Sequence, residues 1–319
     1  MRAAIAMLLA LALFGAAPLE AAPPKKADEF VSQERVLRWI NGYRSHPEPD
    51  KVPDMVRGAS ALGVFRDLES AGVYVGFISG VIEANPKRAE AIISKMFPIP
   101  PEDQVVIVRA IAYSNHPEWK ELLAKFSERM PARKVLIDRF ITGKQPRLRD
   151  IPLDTGAAPL DMLWGQYFAT GSYDPVLRMI SILEWSKDAN KVERLTVGSM
   201  AKLTLATNAS RDKHLLDMLK ASVSHENKDT REILTEVIDA AETFEFGRVR
   251  RDAMSSIEQL KTKGPASVRN TMWWGQAGQT ALAFGCIVAG AMGHVEVGIP
   301  CIVGGAASSA ALKYMVPAQ

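Results

Sequence analysis

The chain has 319 residues, more than one ordinary compact domain, and 47% of them are apolar, enough for a sizeable core. A net charge of +3 is too small for the single-sign field of a dedicated nucleic-acid binder, so no nucleic-acid partner is expected. The two cysteines and five histidines do not fall at metal-ligand spacing, so neither a metal nor another cofactor is expected.

At the N-terminus, Arg2 forms a short basic region and Ile5 to Phe14 an apolar one. Leu19-Glu20-Ala21 then offers a small residue before a cleavage point, and Pro23-Pro24 and Lys25-Lys26 end the run. This is the pattern of a secretory signal peptide over residues 1–21, which places the mature protein in the periplasm. No cysteine stands at the cleavage point, so no lipid anchor is expected there.

Residues 28–262 read as an all-α domain. Asp28 is positioned to cap a first helix carrying Val31, Val36, Leu37 and Ile40. Val52–Leu68 and Val73–Ala84 are apolar and long enough for helices. Four units then share one pattern, an apolar helix, a polar break and an amphipathic helix. Their breaks fall at Asn85-Pro86, Asn115-His116-Pro117, Thr170-Gly171-Ser172 and Asn208-Ala209-Ser210. A helix pair of this size cannot bury its own face, so neighbours stack, which predicts a right-handed helical-hairpin repeat solenoid. An irregular helical bundle is the alternative. The aperiodic insert from Lys144 to Pro159 is expected on the surface, and further helices are expected over Asp229 to Thr243 and Arg250 to Leu260.

The third unit resembles a tetratricopeptide-type repeat. Leu160, Leu163, Tyr167-Phe168, Gly171 and Tyr173 follow the order of that family's large first-helix positions and inter-helix turn. Trp164 and Val176 depart from it, standing where the family has small residues. The resemblance covers one unit and implies a protein-binding groove without naming a ligand.

The search for catalytic chemistry is mostly negative. There is no Gly-x-Ser-x-Gly elbow, phosphate-binding Gly-Lys-Ser/Thr loop or Gly-x-Gly-x-x-Gly fingerprint. Ser199-Met200-Ala201-Lys202 matches a Ser-x-x-Lys pair, but Lys261-Thr262-Lys263 lacks the glycine of its companion motif. His46 and His116 each stand beside a proline and read as turn residues. Two basic clusters, Lys144/Arg147/Arg149 and Arg248/Arg250/Arg251, would suit an anionic partner such as lipid head groups, or form solvated faces beside Asp150 and Asp252. Leu163 to Phe168 is the densest aromatic run of the body and reads as core.

Residues 270–316 form the last segment. From Asn270 to the end only Glu296 and Lys313 are charged. Ala277, Ala281, Gly285, Ala289 and Gly293 make a small-residue stripe, and Gly293 to Gly298 a turn. The expectation is a Gly/Ala-rich apolar helical hairpin, with Cys286 and Cys301 as a disulfide and Trp273-Trp274 as a membrane-interface pair. A sixteen-residue first helix, about 24 Å long, falls short of a roughly 30 Å hydrocarbon core. The leading expectation is therefore an exported, non-enzymatic module that binds or scaffolds a protein partner in the cell envelope. A protein whose tail binds or enters lipid is the second reading, and an enzyme with a site dispersed in sequence is the third.

Overall fold

A computed structural model of the protein describes residues 29–244 together with positions 251, 252, 255, 259, 262 and 263. The expected signal peptide at 1–21 and hairpin at 270–316, with Cys286, Cys301, Trp273 and Trp274, lie outside the described residues. Among the described residues the fold is all-α, with twelve α-helices and no strand.

Helix α1 (Gln33–Gly42) is capped by Ser32, whose side chain accepts from the Arg35 amide at 3.4 Å. The cap expected at Asp28 is thus four residues too early. Val31 is exposed, while Val36, Leu37 and Ile40 are buried as expected. Helix α2 (Val52–Ala61) follows, shorter than the apolar stretch because left-handed Gly63 ends it.

All four predicted helix pairs are present, the first three with their turns at the predicted breaks; the fourth turns at 210–212, because α10 continues through Asn208 and Ala209. They are α3 (Gly72–Ala84) with α4 (Ala89–Met96), and α5 (Gln104–Tyr113) with α6 (Trp119–Phe126). A short α7 (Lys134–Ile141) precedes the insert, and then come α8 (Ala158–Thr170) with α9 (Tyr173–Ile180) and α10 (Val192–Ala209) with α11 (Lys213–Ser222). Helix α12 (Lys228–Thr243) closes the described body, capped by Asn227 at the amides of Asp229 and Thr230. The breaks work for identifiable reasons. Gly171 takes a left-handed φ of 66° and returns its amide to the Tyr167 carbonyl at 2.7 Å. Asp212 caps α11 by accepting from the Leu215 amide at 3.2 Å.

The first helices of the pairs are unlike the second. Every residue of α3 from Gly72 to Ile82 is buried, and so is every residue of α8 from Ala158 to Ala169. The second helices instead bury one stripe each, as Leu122, Leu123 and Phe126 do on α6. Side-chain bonds join the first pair to the second, the third to the fourth, and α12 to the 3-10 turn after α9. Asn115 donates to Glu83 at 3.1 Å, Trp164 to Thr204 at 3.0 Å, and Thr230 to Glu184 at 2.6 Å. These partners lie 32, 40 and 46 residues apart, about one helix pair along the chain.

The most extensive helix–helix interface, however, joins the first pair to the third. Helices α3 and α8 run parallel, Gly72 beside Ala158, Gly76 beside Met162, Gly80 beside Ala169. A Cβ on Gly76 would stand 1.9 Å from the Met162 carbonyl oxygen, and one on Gly165 2.2 Å from that of Val73. Only glycine permits this approach, so the two backbones touch directly.

The insert is more than a surface loop. Leu148 and Leu153, in its two short 3-10 turns, are buried in the core, and Arg178 holds it by donating to the carbonyls of Leu148 and Ile151 at 2.8 and 3.0 Å.

Candidate binding cleft

Between the insert, the C-terminal ends of α3, α5 and α8 and the start of α9 lies a cleft of about 240 Å³. Its floor is Gln166, buried on α8. The Gln166 amide donates to the Ser79 hydroxyl at 3.2 Å and the Tyr113 carbonyl at 3.4 Å, joining α8 to α3 and α5 at one point. Beside it Thr170 donates to the Gln166 carbonyl at 2.8 Å and accepts from the Ser172 amide at 3.0 Å, fixing the turn into α9. The apolar part of the lining is Leu148, Leu163 and Pro175.

Three guanidinium groups and two carboxylates complete the lining. Arg147, from the insert, donates from Nε to the Ala112 carbonyl at 3.1 Å and from Nη2 to the Ser114 carbonyl, so it caps the C-terminal end of α5. Its ring-facing side lies over Trp119, 4.9 Å from the centroid. Burial, and then the nearby Arg149, lower the Arg147 pKa, and burial lowers that of Arg178. Neither Arg147 nor Arg178 has a carboxylate in an ion pair among the described residues. Arg149 is exposed and meets Asp150 only at 3.8 Å. Glu83 is engaged by the Asn115 amide, and Asp174 stands exposed at the mouth. Tyr113, also in the lining, has its pKa raised by burial.

The basic cluster Lys144/Arg147/Arg149 therefore divides by role. Arg147 is a structural cap as well as a wall of the cleft, Lys144 is exposed, and Arg149 is exposed at the rim. Of the second cluster only Arg251 lies within the described residues, where it is helical and exposed. His116 is the turn residue expected: its Nε2 lies 3.1 Å from the Pro86 carbonyl, and its Nδ1 accepts from the Glu118 amide at 3.1 Å. His214 is exposed on α11, with Nε2 at 3.4 Å from the Gly171 carbonyl. Among the described residues no three His, Cys, Asp or Glu side chains are grouped to hold a metal. Ser199 and Lys202 do not form a working pair. The Ser199 hydroxyl is buried without a partner, and Lys202 pairs with Glu236 on α12. The run Leu163 to Phe168 is core, as expected.

Gln166 is legible in the sequence as an amide inside an apolar run, where a buried polar group needs partners, although the aromatic residues around it carry the stronger signal of a core position.

No protein-family model, curated protein or solved structure matches this chain.

Proposed function

We propose that this chain is an exported helical-repeat binding module whose partner-binding site is the cleft at Gln166. The observation that carries this reading is the cleft itself, a polar, mixed-charge hollow built where the C-terminal ends of three first helices and the insert converge. A repeat solenoid is the architecture proposed for the body. It is supported by the turns between the helices of all four pairs and by side-chain bonds reaching about one helix pair along the chain. The direct α3–α8 contact departs from that pattern, because repeats of a solenoid meet only their neighbours, and it favours the alternative, an irregular helical bundle. Export and a periplasmic site of action are proposed from the pattern Arg2, Ile5–Phe14, Leu19–Ala21. The partner proposed is a protein segment small enough to place one or two side chains in the cleft.

A photo-crosslinking residue placed at Asp174, at the cleft mouth, tests the site in cells. One discrete adduct from position 174, missing when the same residue replaces exposed Val135 on α7, is expected. Identical adduct patterns from both positions would sink the proposal.

A lipid-binding role for residues 270–316 is the second reading, favoured by their near-absence of charge and by Trp273-Trp274. Among the described residues no helix is long and apolar enough to cross a membrane. Flotation with liposomes, with and without residues 270–319, separates the two: loss of flotation on truncation supports the tail as the lipid-binding element. Thiol labelling of the exported protein tests the proposed Cys286–Cys301 disulfide, which predicts protection of both residues until reduction.

A further inference from the structure

Three arginines and two carboxylates, Glu83 and Asp174, line one small cleft, and neither Arg147 nor Arg178 forms an ion pair with a carboxylate among the described residues. Arg147 and Arg178 are partly buried, and each already gives two N–H groups to backbone carbonyls. A carbonyl satisfies a donor without neutralising its charge, so both cations, partly shielded from water, are compensated only through space, by Asp150 and Glu83 for Arg147 and by Asp150 for Arg178. Arg149 adds a third charge at the rim with a single long contact to Asp150. The downward push on Arg147 from burial and from Arg149 is the electrostatic counterpart of that geometry. An anionic group entering the cleft would meet donors already held in place, which lowers the ordering cost of binding.

The rest of the lining narrows the ligand. Glu83 and Asp174 also face the cleft, so a compact dianion such as phosphate would meet two carboxylates as well as the arginines. A carboxylate with an amine or amide close behind it meets both signs favourably. The volume, about 240 Å³, is below the roughly 300–1,000 Å³ of sites for drug-sized ligands, so one or two amino-acid residues fill it. Gln166 on the floor can read a peptide-like amide beside the carboxylate, because its own amide nitrogen is already engaged and its position fixed.

We infer that the cleft at Gln166 binds the carboxylate of an amino acid or of a short peptide, with Arg149 closing on it at the rim and Arg147 and Arg178 supplying the fixed positive wall. This rests on the binding reading above and names the ligand chemistry of the same site.

Calorimetric titration of the full-length protein tests it with four probes: the tripeptide Ala-Ala-Ala with a free C-terminus, the same tripeptide amidated, free L-alanine, and inorganic phosphate. The free-acid tripeptide is expected to bind at least tenfold more tightly than its amide. Arg149→Gln, at an exposed position outside the core, should weaken that binding about tenfold, the scale of one charge-assisted contact, with an unchanged circular-dichroism melt. Binding of L-alanine as tight as that of the free-acid peptide assigns the ligand to small zwitterions, whereas binding of the peptide alone assigns it to peptide ends. Equal binding of acid and amide, binding of phosphate alone, or no binding of any probe at millimolar concentration would overturn the inference. A partner adduct from position 174 in that last case would leave the binding module standing and remove only its carboxylate chemistry.

Discussion

The α3–α8 seam and the cleft next to it are built from neighbouring faces of one helix, and their chemistry is opposite. On the seam side, Met162, Gly165 and Ala169 meet Gly76, Val73 and Gly80 with nothing between the backbones. On the cleft side, Leu163, Gln166 and Thr170 face polar groups from the ends of α3 and α5 and from the insert. The seam is held by close dispersion contact, which is intolerant of a single added carbon. The cleft is held by hydrogen bonds that contribute about 1 kcal/mol each and can exchange with water or a ligand. One face of α8 thus supplies rigidity, and the adjoining face lines the cleft proposed for recognition.

The strongest way to break this contrast is to add one methyl group to the seam. Gly76→Ala places its Cβ against the Met162 carbonyl, which is backbone and cannot rotate away. A loss of more than about 4 kcal/mol, or failure to fold, is expected in a denaturant titration. Gly80→Ala should cost less, because its nearest neighbour is the Ala169 side chain at 2.7 Å. Equal, mild effects at both positions would show that α3 and α8 do not touch at their backbones.

The second test concerns the N-terminal end of the seam, where Asp161 is buried with Oδ1 unpartnered. Burial, and then Glu69, raise its pKa well above the ordinary 3.8. Burial thus disfavours the charged form in the folded state, so the group's contribution is fully present below the unfolded-state pKa. It is lost as pH rises from there through the folded-state pKa. Asp161→Asn should match the wild type in stability change below that ordinary value and then pull ahead by up to about 1.4 kcal/mol per pH unit. Parallel stability curves for the two proteins would place Asp161 in contact with water.

The cleft side should prove softer. Gln166→Leu removes the donors to Ser79 and the Tyr113 carbonyl and should cost about 1–3 kcal/mol, with probe binding lost. Binding kept at wild-type strength would move the recognition surface away from Gln166. The smallest effect is a gain. Gly42 at the end of α1 has a helical φ of −82° and open space within 4 Å of an added Cβ. Gly42→Ala, far from seam and cleft in chemistry, should raise stability by about 0.4–1 kcal/mol as a slight upward shift in Tm.

Much of the body was readable because its signals are local. Asn85-Pro86, Asn115-His116-Pro117 and Thr170-Gly171-Ser172 end helices through proline geometry and a left-handed glycine, which act within a few residues. Ser32 outcompeted Asp28 as the first cap through a choice of one turn, the least certain quantity in any sequence. The small-residue stripe singled out in the tail had a counterpart at Gly72, Gly76 and Gly80, with the same four-residue spacing. That spacing announces a close backbone approach but carries no address for the partner helix. Likewise Arg147 and Arg149 look alike in sequence, yet one caps α5 and the other stands at the rim of the cleft.

By itself the sequence determined an all-α body, its four helix pairs and their turns, because apolar periodicity and turn chemistry are written in neighbouring residues. Only the tertiary structure decided that α8 packs on α3, that the insert is anchored by Leu148 and Leu153, and that Gln166 and three arginines converge on one cleft. These depend on contacts between residues far apart in the chain, such as the 87 positions from Gln166 to Ser79, and on steric fit that no local pattern encodes.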